Sequence, residues 1–176
     1  MKITHLSDTV QIKKVSEDNR KGVFNIEGLY SGYGLTLGNA LRRVLLSSLP
    51  GAAITQIKIK GVHHEFSTLP GMMEDMVNFT LNLKKVRFLF FAEEPQVLTL
   101  KVKGEKEVKA GDIEGNAQVK VVNPDFRLAS LTDKKAELEV ELTVEKGLGY
   151  APAETRKTER LSIGTIVLDA IFSPVV

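Results

Sequence analysis

Few residues in this chain have the types and spacing that chemistry needs. His63-His64-Glu65 sets two imidazoles beside a carboxylate, a donor set that suits a metal ion. Adjacent residues on a strand point to opposite faces, however, and the HExxH spacing that brings two imidazoles together on a helix is absent. A polar strand end is expected there. Gly32, Gly34 and Gly38 lie between a strand-like and a helix-like segment, where a dinucleotide fingerprint would sit. Their spacing is G-x-G-x-x-x-G, one residue too long for that motif. Asn39 stands where a phosphate-binding loop would place lysine, so these glycines are expected to make a turn and a helix start. Ser31 has the wrong offset for a nucleophile elbow. Asp125 has no close acidic partner of the kind Mg²⁺ chemistry gathers. The chain has no cysteine, which removes disulfides, thiolate nucleophiles and Cys-based metal sites together. No catalytic residue, cofactor or metal is expected.

The elements around these residues read as α+β. Val10–Ile12 and Val23–Ile26 are expected strands, joined by turn residues 16–22. A helix follows, capped by Thr36, with Leu37, Leu41, Val44, Leu45 and Leu49 recurring at three- and four-residue steps. Pro50-Gly51 stops it. Ile54–Lys60, Val86–Phe91 and Val97–Lys103 are expected strands, and Met72–Lys85 a second helix. Ala136–Glu145 alternates strictly. Ala136, Leu138, Val140, Leu142 and Val144 share one face, while Glu137, Glu139, Glu141, Thr143 and Glu145 share the other. That pattern predicts a sheet with one buried and one solvated side. Residues 151–160 read as an exposed loop, and 161–171 as apolar again. Arg42-Arg43 interrupts an otherwise apolar helix. It suits either a solvated flank or an interface, because arginine beside apolar surface is the composition of a binding hot spot.

With 176 residues and 43% hydrophobic content, the chain is long enough to bury a core without staples. Its 24 basic and 22 acidic residues are spread evenly, so no basic stripe predicts autonomous nucleic-acid binding. No long apolar run or signal-peptide core is present. A soluble, unexported interaction protein is expected.

One stretch is more specific than any motif above. Gly34–Gly51, which reads GLTLGNALRRVLLSSLPG, closely resembles the signature helix of the α subunit of bacterial DNA-directed RNA polymerase. Agreement continues through Gly61–Thr68 (GVHHEFST), Glu74-Asp75 and Leu81–Lys84, then Gly147–Ala153 (GLGYAPA) and Asp169–Val175 (DAIFSPV). The resemblance covers the whole chain in order.

It implies an α+β fold in which a dimerisation domain is interrupted by an inserted, mostly antiparallel β-rich domain. Residues 1–50 would begin the first domain, 51–173 would form the insert, and the chain would return near Pro174. In the family a further strand, a long helix and a DNA-binding C-terminal domain follow. The resemblance also implies a scaffold role in the bacterial cytoplasm, in which two α subunits pair and recruit the large β and β′ subunits. DNA would be met only through the assembled complex, and no membrane is involved. The matching positions are Arg43 and Leu46 for β, and Lys84 and Leu168 for β′. Leu37, Leu41, Val44, Leu45 and Leu49 would form the α–α contact. Two other classes stay open: an enzyme in its own right, and a stand-alone structural dimer without polymerase partners.

Overall fold

The computed structural model describes residues 10–18, 21–156 and 164–175. It divides into two compact units, residues 1–44 and 45–176. Among the described residues every strand pair is antiparallel.

In the first unit, β1 (Gln11–Glu17) pairs with β2 (Gly22–Glu27), with a register irregularity between Lys14 and Ser16. The strands take up more of the expected 16–22 turn than the sequence suggested, β1 running to Glu17 and β2 starting at Gly22. The Asp18 carboxylate accepts the Lys21 N–H at 2.8 Å, an Asx-type closure that lets β1 run on to Glu17. Helix α1 (Tyr33–Ser47) starts three residues ahead of the expected Thr36 cap. Gly32, at φ +81°, turns the chain, and the Tyr33 N–H reaches the Tyr30 carbonyl at 3.0 Å. Thr36 therefore lies inside the helix. No residue of α1 is buried.

The second unit is built on a five-stranded sheet of order β12-β3-β10-β5-β7. These strands are β3 (Pro50–Ile59), β5 (Gln96–Lys103), β7 (Ile113–Glu114), β10 (Glu137–Leu148) and β12 (Thr165–Val167). Pro50, expected as a helix stop, also opens β3, a place where its missing N–H is tolerated. The alternation in β10 holds. Leu138, Val140, Leu142 and Val144 are all fully buried. Against this face packs α2 (Met76–Leu83), through Met76, Phe79 and Leu83 of the same core. Smaller pairs complete the unit: β4 (Phe88–Phe90) with β8 (Val119–Val121), β6 (Lys106–Lys109) with β9 (Arg127–Leu131), and β11 (Tyr150–Ala151) with β13 (Ala170–Ile171).

Two further expectations need correction. Helix α2 begins at Met76 rather than Met72, because β9 claims the residues before it. Met72 bridges Leu131, and the Met73 N–H goes to the Ser130 carbonyl at 2.9 Å. Asp75 then caps the helix by accepting the Asn78 N–H at 2.7 Å. The segment expected as an exposed loop after Ala151 is anchored instead. Ala153–Arg156 forms a 3₁₀ turn held by the carboxylates of Asp169 and Glu145. Residues 157–163, including the start of the expected apolar stretch, lie outside the described residues.

Candidate interaction surfaces

Helix α1 presents two faces. At about 100° per residue, Leu37, Leu41 and Val44 fall within about 60° of one another, while Arg43 and Leu46 sit together on the far side. Leu37 and Leu49 are half-buried, and Leu41, Val44 and Leu45 are exposed. Within the first unit, an apolar groove of about 340 Å³ is lined by Val10, Ile12, Ile26, Leu29, Tyr33, Leu37 and Leu41. Arg42 and Arg43 are both exposed, as is Leu46 at 42%. A helix of 15 residues with no buried side chain is unusual for a chain rich in leucine, because tertiary packing supplies most helical stability.

In the second unit Lys84 caps the C-terminus of α2. Its ammonium lies 3.1 Å from Asp169 Oδ2, with side-chain exposures of 24% and 40%. Asp169 Oδ1 accepts the Ala153 N–H at 2.9 Å. That N–H, then Lys84, then the Tyr150 side chain hold the Asp169 carboxyl below the usual range. Leu168 is placed differently from Lys84. It is 4% exposed and belongs to the main core, with its N–H donated to the Thr55 carbonyl at 2.8 Å. Its side chain has no outward face to offer a partner.

Sequence reading missed Asp169 as a partner of Lys84, and it missed a second network alongside. The fully buried Thr55 hydroxyl donates to Glu145 at 2.9 Å, and Arg156 pairs with the same carboxylate at 2.5 Å. The Arg156 guanidinium also lies 5.6 Å from the centre of the Phe172 ring. The available signal was charge inside apolar text: Asp169 is the single acidic residue between Leu161 and Val176.

The polar face of the large sheet is a paired ladder rather than a row of lone carboxylates. Glu137 meets Lys103 at 2.9 Å, and Glu139 meets Lys101 at 2.7 Å and Lys60 at 3.2 Å. An open groove of about 320 Å³ runs beside it, past Lys58, Lys60, His63 and Glu141. His63 and His64 follow β3 in a loop, and His64 Nδ1 lies 3.1 Å from the Ser67 hydroxyl. Among the described residues no three His, Asp or Glu side chains are grouped to hold a metal ion, and no helix is long and apolar enough to cross a membrane.

Comparison with known proteins settles the family. The profile described as RNA polymerase Rpb3/RpoA insert domain matches residues 57–173. The chain belongs to that family. It is 54% identical over 161 residues to the DNA-directed RNA polymerase subunit alpha of Symbiobacterium thermophilum, covering 92% of this chain and 51% of the relative. Similarity to the subunit alpha of Roseiflexus is 49% over 165 residues, covering 94% and 50%. For Alkaliphilus oremlandii the identity is 47% over 166 residues, covering 94% and 52%. The chain thus spans about half the length of the curated relatives it matches. The mixed fold with a mostly antiparallel, sheet-rich body agrees with the resemblance carried by Gly34–Gly51.

Proposed function

We propose that this chain is a non-catalytic scaffold of a bacterial, cytoplasmic DNA-directed RNA polymerase, which pairs with a second copy and recruits β and β′. The observation that carries this reading is α1, a leucine-rich helix without a buried side chain, in a chain aligned along 92% of its length with a polymerase subunit alpha. Residues 1–50 would serve dimerisation and 51–173 would form the insert. The face with Leu37, Leu41, Val44 and Leu45, together with Leu49 just beyond the end of α1 at Ser47, would meet the second copy. Arg43 and Leu46, on the opposite side of the helix, would meet β. Lys84 would meet β′, with Leu168 acting from the core by fixing the backbone next to Asp169. Two separate faces on one helix support a subunit that binds its twin and a large partner together.

The test is stepwise reconstitution from purified subunits, followed by sedimentation. The expected order is a weakly paired scaffold, then a complex with β, then one with β and β′. Failure to bind β at micromolar concentrations would leave only a stand-alone dimerisation module. The chain by itself is expected to incorporate no nucleotides on a DNA template. Incorporation free of other subunits would place the chemistry in this chain and overturn the scaffold reading.

A further inference from the structure

Lys84 has a long, flexible stem, and a lone ammonium on such a stem is a poorly aimed contact. Here it is not lone. Asp169 Oδ2 lies 3.1 Å from its Nζ, while the other carboxylate oxygen is tied to the Ala153 N–H at 2.9 Å. The backbone under Asp169 is fixed on both sides, since Leu168 and Ala170 are 4% and 1% exposed. The carboxylate is therefore a rigid post, and the ammonium leans on it. Of the two side chains, Asp169 is the more outward, at 40% against 24%. Val77 and Leu81, exposed at 38% and 48%, share the outer face of α2 with Lys84 at i, i+4 and i+7 spacing. An apolar ridge thus ends in an ion pair, the composition of an interface edge.

We propose that Asp169 is the positioning residue that aims Lys84 at β′. This rests on the reading of Lys84 as a β′ contact. One ammonium proton is committed to Asp169, leaving two for acceptors on the partner. The partner surface that fits offers a carboxylate or carbonyl to Lys84 and apolar contact for Leu81.

The proposal is tested by β′ binding to the reconstituted complex of this chain with β, using Lys84→Ala, Asp169→Asn and the double variant. The Asn side chain still accepts the Ala153 N–H, so the anchored turn is kept while the charge is lost. Lys84→Ala should weaken binding about tenfold or more, a hot-spot effect. Asp169→Asn should give a large part of that loss, and the double variant should bind no worse than Lys84→Ala. If Lys84→Ala binds normally, the contact reading fails and the positioning role falls with it. If Lys84→Ala weakens binding while Asp169→Asn does not, or the two losses simply multiply, Asp169 does not act through Lys84, and only the positioning role is overturned. A partner-free check uses side-chain ammonium NMR on the unmodified chain. Lys84 should be markedly less mobile than its exposed neighbour Lys85, and equal mobility would contradict the proposal even if Asp169→Asn failed to fold.

Discussion

Gly51 and Gly147 face each other across β3 and β10, and the space between them is already taken. A Cβ on Gly51 would lie 1.8 Å from the Phe172 carbonyl oxygen, and one on Gly147 would lie 2.6 Å from the Phe172 ring. Phe172 is 3% exposed, so neither group has open space to retreat into. Gly51→Ala is expected to destabilise the second unit by about 3 kcal/mol, at the upper end of overpacking effects. Gly147→Ala should cost less, because a ring can turn where a backbone carbonyl cannot. Urea midpoints measure both, and a Gly51→Ala chain as stable as the parent would contradict the packing described. Arg43 is different, being exposed. Arg43→Ala should cost about 2 kcal/mol or more in β binding, because truncation leaves its partner groups unpaired. Folding should be nearly unchanged, and Arg42→Ala should have a smaller effect on binding. Calorimetry of the two variants against β, alongside melting curves, checks this. Arg43 was legible from the sequence through its motif. Asp169 was not, because its partner Lys84 lies 85 positions away and no local pattern links them.

Helix α2 shows how tertiary pairing overrides a local pattern. Met72 and Met73 fit the helical spacing, yet β9 takes their backbone first, and Glu74 completes the handover. Its carboxylate accepts the Ser130 N–H at 2.7 Å and pairs with Arg127 at 2.8 Å. Burial pushes the Glu74 carboxyl up, but the Ser130 N–H and Arg127 outweigh it and hold the group below its ordinary value. The same contest at Asp112, won by Lys106 and the Lys109 N–H, has the same result. A carboxyl depressed in the folded state contributes stability that is present above its unfolded pKa and lost as pH falls through the folded one. The melting temperature should therefore hold between neutral pH and about 5, then fall below about 4, where carboxyls of unfolded chains protonate. Glu74→Gln should flatten that acid limb, and an unchanged acid limb would remove Glu74 from the account. Asp75→Ala should cost about 1 kcal/mol through the lost cap. Strand β10 was legible to within three residues because period-two alternation and burial agree there, with no competing partner for its backbone.

At the scale of the whole molecule the two units differ in kind. The second has a continuous core running from Ile54 and Phe79 to Leu142 and Ile166. The first has a hairpin and most of a helix without a buried residue. Fully burying a leucine or valine is worth about 1.5–3 kcal/mol, so Leu41, Val44 and Leu45, still 43%, 54% and 43% exposed, forgo about 2–4 kcal/mol, a sizeable part of the net stability of a small domain. Sequence periodicity exposed the stripe at once, but periodicity cannot say whether the surface that covers it lies in the same chain. The 176-residue chain alone is expected to pair weakly, and its first unit to gain order from its partners. Hydrogen exchange, on the free chain and then with β added, tests this most directly. Strong protection of Ala136–Glu145 is expected throughout, with weak protection of Leu37–Leu49 that rises when β binds. Equal, strong protection of both segments in the free chain, unchanged by β, would contradict this expectation.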